Sequence, residues 1–262
     1  MPDLITLPYQ KLGRGPKILL AFHGIAQDGA SCFQSFEAQL GEHYTIYAFD
    51  LFFHGKNISS KSDLVTKELW RNIILDFVAK NNIDKFDVAG FSMGGRFALA
   101  TLEFFPDRIE NVFLIAPDGV SEHPLYGFAT RFWLTRRVFE WSMQKPQPFF
   151  SVVNVAKQAG WINSSMQRFV QQVLNTPEKR QTIYNSWVNF RNLRFDIPAL
   201  HRLAVRSNVK IYLLVGEFDT LLKPASVRKL AALLPANQYV TLKSGHTKLV
   251  DHAATWICAL FK

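Results

Sequence analysis

Phe86-Asp87-Val88-Ala89-Gly90-Phe91-Ser92-Met93-Gly94-Gly95 joins an apolar strand to a helix through a turn only a few residues long. Phe86–Phe91 reads as the strand, and Met93–Phe105 as a helix ending before Pro106. A turn this tight forces Ser92 into a strained backbone conformation. It also needs small residues two positions on either side, and Gly90 and Gly94 meet that need. The geometry lifts the Ser92 hydroxyl clear of the sheet above the N-terminus of the following helix. A glycine-rich turn without chemistry is the plainer reading of the same letters. The strand–turn–helix context favours a nucleophile.

Outward from this turn, strands and helices alternate. Lys17–Phe22, Tyr44–Phe49, Asn111–Pro117, Lys210–Glu217 and Gln238–Lys243 read as further strands, several of them apolar almost throughout. Strands of that kind belong to a parallel sheet covered by helices on both faces. Helical spacing over Asp63–Lys80, and helices over Pro224–Leu234 and Thr247–Phe261, complete a mostly parallel α/β pattern. Residues 118–205 interrupt it with about ninety residues that contain no good strand. Fourteen aromatic residues fall there, among them Trp133, Trp141, Trp161 and Trp187, and Pro146, Pro148, Gly160 and Pro177 divide the stretch into about four helices. The reading is a core domain of residues 1–117 and 206–262, with a helical cap of residues 118–205 inserted after the strand ending near Pro117.

A serine hydroxyl needs a base. Of the seven histidines, His246 follows the last strand in Ser244-Gly245-His246, at the sheet edge where open α/β folds bind ligands. His252 lies further along the last helix and reads as a surface or packing residue. An orienting carboxylate is expected between serine and histidine in chain order. Asp219, on the turn after Gly216-Glu217-Phe218, is preferred over Glu217 and over the more distant Asp118. Acyl transfer also needs two donors for the oxyanion. The N–H of Met93 is one; the N–H of Ile25, after Phe22-His23-Gly24, is the other. His23 is read as a loop-stabilising residue and not as an acid or base.

Composition narrows the classes. The 262 residues are 48% hydrophobic and 19% charged, with a formal net charge of +9. That excludes a disordered or disulfide-stapled chain. Residues 1–117 carry 11 basic and 13 acidic side chains, residues 118–205 carry 11 and 5, and residues 206–262 carry 8 and 3. The excess therefore sits in the insertion and the C-terminal part. No dense Lys/Arg run is present, so nucleic acid is not expected as a partner. No apolar run approaches the roughly 20 residues of a membrane span, no secretory signal is read at the start, and no segment reads as an amphipathic helix with a basic face. Cys32 and Cys258 are too few for a disulfide framework, which points to the cytoplasm. No cluster has metal-ligand spacing, and no cofactor is implied.

The chain resembles the α/β-hydrolase superfamily in its capped, serine-dependent branch. The matching segments are His23–Gly29 (HGIAQDG), Asp50–Gly55 (DLFFHG), Gly90–Gly95 (GFSMGG), Leu213–Pro224 (LLVGEFDTLLKP) and Ser244–His252 (SGHTKLVDH). The resemblance implies Ser92 as nucleophile, Asp219 as orienting acid, His246 as base, and Ile25 and Met93 as oxyanion donors. Phe53 stands where members often carry Gly, and Thr220 follows Asp219 where Pro is frequent. The expected activity is hydrolysis of a small-molecule carboxylic ester or thioester, anionic or carrier-linked, through an acyl-Ser92 intermediate. The rivals are carbon–carbon bond hydrolysis or elimination with the same three residues, and a non-catalytic binding protein of this fold.

Overall fold

Complete burial at every position of β3 (Tyr44–Phe49) and β4 (Phe86–Phe91) places both strands inside a sheet covered on each face. The computed structural model describes residues 5–57, 64–122, 124–160 and 164–261. Its sheet has seven strands, the others being β1 (Tyr9–Leu12), β2 (Lys17–Phe22), β5 (Ile109–Ile115), β6 (Lys210–Gly216) and β7 (Tyr239–Leu242). Their order is β1-β3-β2-β4-β5-β6-β7, with β1 antiparallel to β3 and every other pair parallel. Phe22 pairs with Gly90, Gly90 with Leu114, and Leu114 with Leu213, so these parallel strands end along one edge.

Six of the seven strands follow the sequence pattern. β1 does not, because YQKL is exposed at three of its four positions and is held by backbone pairing at the sheet edge. β5 stops at Ile115 and not at Pro117, since Ala116 turns to φ 38°. β6 and β7 each end one residue earlier than the pattern suggests.

Helix α1 (Gln34–Leu40), which the sequence reading did not anticipate, and α10 (Leu249–Cys258) cover one face with Phe36, Leu40, Ala253 and Ile257. Helices α2 (Lys67–Lys80) and α3 (Gly94–Phe104) cover the other through Trp70, Ile74, Phe97 and Leu99. The expected start of α2, Asp63, lies outside the described residues. The described helix is capped by Thr66, whose Oγ1 accepts the Leu69 N–H at 3.1 Å. The expected helix over Pro224–Leu234 is a 3₁₀ turn followed by a single α turn at Arg228–Ala231.

Between β5 and β6 lie six helices where about four were expected: α4 (Pro124–Arg131), α5 (Trp133–Gln144), α6 (Pro146–Gln158), α7 (Ser164–Val173), α8 (Pro177–Asn189) and α9 (Ile197–Arg206). The prolines behave as read, with Pro146 and Pro177 in first turns. Two further breaks make the difference: one at Phe132, whose backbone is extended and which no proline or glycine marks, and one between Asn189 and Ile197, ahead of Pro198 in the first turn of α9. Helix α9 leaves the insertion and joins the core: Ile197, Leu200 and Ala204 are buried in the cluster that holds α3 and β6. Trp161 and His123 lie outside the described residues.

One buried cation ties the ends of the insertion to α3. Arg96 is paired through Nε and Nη2 with the Asp118 carboxylate at 2.6 and 3.1 Å, and its Nη1 donates to the Leu193 carbonyl at 3.0 Å. Its guanidinium also lies 4.5 Å from the Tyr126 ring centre. Burial works against this charge and Asp118 more than offsets it, so the pKa is raised. Among the described residues no helix is long and apolar enough to cross a membrane.

Candidate active site

The β4–α3 turn places Ser92 at φ 50°, a region that side chains seldom enter. The turn is locked by three backbone bonds: Ser92 N–H to Ile115 O (2.9 Å), Gly95 N–H to Ser92 O (2.9 Å) and Asp118 N–H to Ser92 O (2.8 Å). The two flanking glycines have a steric cause. A Cβ on Gly94 would stand 2.0 Å from the Phe22 carbonyl oxygen, and one on Gly90 would stand 2.6 Å from the Gly94 carbonyl oxygen. The helix packs so closely under β2 and β4 that a side chain at either position would push it away.

Asp219 and His246 meet at the ends of β6 and β7. His246 Nδ1 is 2.6 Å from Asp219 Oδ2, while Asp219 Oδ1 accepts the N–H groups of Leu221 and Leu222, each at 2.9 Å. The carboxylate is fully buried and fixed at both oxygens, which leaves Nδ1 carrying the imidazole proton and Nε2 as the basic atom. The His246 ring lies against Phe91, with centres 4.9 Å apart, and Phe91 is the residue before Ser92 in the chain. Among the described residues no hydrogen bond joins Ser92 Oγ to His246 in this resting arrangement. Such bonds commonly tighten only when substrate is present. Of the other carboxylates weighed, Glu217 is exposed and Asp118 is taken by Arg96. His252 is exposed on α10.

The loop carrying Ile25 is held by two histidines, of which sequence reasoning recognised one. His23 is fully buried; its Nδ1–H donates to Gly24 O at 2.6 Å and its Nε2 accepts the Leu51 N–H at 3.1 Å. His54 repeats the device from the facing loop, donating to Phe52 O at 2.9 Å and accepting the Ala26 N–H at 3.0 Å. The two rings stand edge to face, 5.0 Å apart. A signal for His54 was present in the second His-Gly pair, His54-Gly55, within DLFFHG. Asp50 closes the arrangement by accepting the N–H of Gly29 at 2.9 Å and of Lys56 at 2.8 Å. Phe53 sits at φ 67°, which explains why glycine suits that position. Among the described residues, no protein acceptor takes up the N–H of Ile25 or of Met93. Among the described residues no group of three or more His, Cys, Asp or Glu side chains is arranged to hold a metal ion.

Burial pushes the His23 pKa down to about 4 and, together with the nearby His23, that of His54 to about 3. Both rings are therefore neutral when folded, and each can accept a backbone N–H only in that state. The unfolded chain, with histidines near 6.5, binds more protons below that value. Stability is thus full above about pH 6.5 and falls as pH drops toward 4. The stability measured by urea unfolding should decline across this window by roughly 2–3 kcal/mol for each of the two histidines. In His54→Gln, which keeps an uncharged acceptor, the decline should be shallower. A slope identical to wild type would remove the histidine explanation.

Comparison with known proteins was consistent with this architecture. The family described as alpha/beta hydrolase fold matches residues 17–253. An uncharacterized protein of Mycobacterium bovis is 29% identical over 110 residues, 42% of this chain and 31% of that protein. The chain thus spans about a third of the length of the curated relatives it first matches. A thermophilic esterase from Thermogutta terrifontis superposes with a TM-score of 0.69 at 18% identity, covering 97% of this chain and 91% of that one. The meta-cleavage product hydrolase of Pseudomonas fluorescens IP01 does so with a TM-score of 0.64 at 16% identity, covering 97% and 93%. At these identities the structural likeness is one of fold. With its family match covering nearly the whole sheet and insertion, the chain belongs to the alpha/beta hydrolase fold family.

Proposed function

We propose that the protein is a serine hydrolase that cleaves a carboxylic ester or thioester through an acyl-Ser92 intermediate. The observation that carries this reading is the Asp219–His246 pair, 2.6 Å long, ending in a ring packed on Phe91 next to the strained Ser92. His246 Nε2 takes the Ser92 proton as Oγ attacks the carbonyl carbon. Asp219 holds the imidazole in its Nδ1–H tautomer and stabilises the imidazolium that forms. The N–H groups of Ile25 and Met93 receive the oxyanion; each such donor is worth roughly 2.7–4 kcal/mol of barrier. The imidazolium then protonates the leaving alcohol or thiol, and a water activated by His246 releases the acid.

We read residues 124–189 as a cap above this edge. Met143, Leu174 and Ile183 form its small core, and Phe139, Tyr184 and Trp187 pack around them together with Ile25 of the oxyanion loop. An apolar wall over the reacting carbonyl suits an acyl or aryl group. Glu140, Arg136, Arg137 and Arg191 all lie close enough to Tyr184 to act on its charge, and burial and Arg136 lower the Arg191 pKa. Among the described residues neither Arg136 nor Arg191 has a carboxylate partner, an arrangement that favours an anionic substrate, free or carrier-linked.

Turnover of a p-nitrophenyl ester series should fall at least about 10⁴-fold in Ser92→Ala. Retention of wild-type turnover would exclude the acyl-enzyme. A folded wild type that spares every ester but cleaves a vinylogous diketone would transfer the same residues to carbon–carbon chemistry. Arg136→Glu should raise KM about tenfold for an ester bearing a carboxylate and leave KM for a neutral ester unchanged. Equal KM shifts for both would remove the anion-binding role.

A further inference from the structure

We propose that the outer face of helix α5 docks the protein onto an anionic lipid surface. Phe128, Phe132, Trp133, Leu134, Val138 and Trp141 are all exposed, Phe132 and Trp133 by 61% and 67% and Trp141 by 47%. They are contiguous. Phe128 and Phe132 stand 6.4 Å apart, and Leu134, Val138 and Trp141 recur at helical spacing along one side of α5. At about 100° per residue, Trp133, Arg137, Trp141, Leu134 and Val138 of α5 fall within one arc of roughly 140°. The opposite side of the helix holds Met143, buried, and Phe139, packed into the core of the insertion. Helix α5 therefore has two apolar faces. Only the inner one has a partner among the described residues.

The charges select the occupant. Residues 124–160 carry five basic side chains (Arg131, Arg136, Arg137, Lys145 and Lys157), of which Arg131 is paired with Glu122, and one acidic side chain, Glu140, which falls outside the arc. Arg137 is exposed within it, and Lys145 is exposed at the residue that follows the helix. A second copy docked on this face by a two-fold axis would bring like charges together. A lipid surface with anionic headgroups satisfies both features at once: indole and phenyl rings settle at the headgroup level, and the cations meet phosphate or carboxylate. The pattern emerges only once the structure turns Trp133, Leu134, Val138 and Trp141 outward on one side of α5. The docking face is remote in role from Ser92 and does not depend on the reaction proposed above.

Sedimentation with vesicles tests it. Wild type should pellet with vesicles of equal parts phosphatidylcholine and phosphatidylserine, at least tenfold more than with phosphatidylcholine alone, and high salt should release it. The double variant Trp133→Glu/Trp141→Glu should lose this binding at least tenfold. Its circular dichroism and its turnover of dissolved p-nitrophenyl acetate should match wild type. Ser92→Ala should bind vesicles as wild type does. Wild type that stays in the supernatant overturns the proposal, as does a double variant that binds equally well. A wild-type dimer in analytical ultracentrifugation that the tryptophan substitutions dissociate overturns it too, since a second copy would then own the face.

Discussion

A serine held at φ 50° between a buried strand and a helix is the constraint on which the rest of the site depends. The conformation is costly, and it persists because the surroundings leave no alternative. Backbone bonds from Ile115, Gly95 and Asp118 fix the Ser92 peptide, and Gly94 lets the helix approach within contact distance of the Phe22 carbonyl. That approach sets the position of the Met93 N–H. The same Phe22 ends the strand that leads into the loop of Ile25. One steric decision at the centre of the sheet thereby positions the hydroxyl and the N–H groups of Ile25 and Met93, which have no acceptor among the described residues.

Histidines serve this architecture in two opposite ways. His23 and His54 are buried without a bonded carboxylate, so they stay neutral and act as backbone acceptors that shape the loops on either side of β2 and β3. His246 is bonded to a fixed carboxylate and its ring lies against Phe91. The difference is environmental, not chemical. A ring that must accept an N–H gains from desolvation, whereas a ring that is to carry a transient positive charge needs a carboxylate beside it.

The parallel sheet was legible because buried strands such as Tyr44–Phe49 are apolar at almost every position and glycines mark the turn at Ser92. Asp219 and His246 were legible as residues after strand ends, where register carries them to one edge. Edge strand β1 was not, since backbone pairing with β3 holds it and its side chains are mostly exposed. The Arg96–Asp118 pair was out of reach, since it depends on a contact between segments more than 20 residues apart, and His54 was marked only by its His-Gly pair. The helical insertion was the least legible part. Its aromatic residues suggest one buried surface, yet the structure divides them between an inner cluster with Phe139 and Trp187 and an outer face with Trp133 and Trp141.

We read Ser92 as a nucleophile, and covalent labelling probes that proposal most directly. Treatment of the folded protein with a fluorophosphonate, followed by intact-mass and peptide mass spectrometry, should give one adduct per chain, on the peptide containing Ser92. The same protein with His246→Ala should label far more slowly. A folded wild type that takes up no label, or carries it on a residue other than Ser92, would contradict the account.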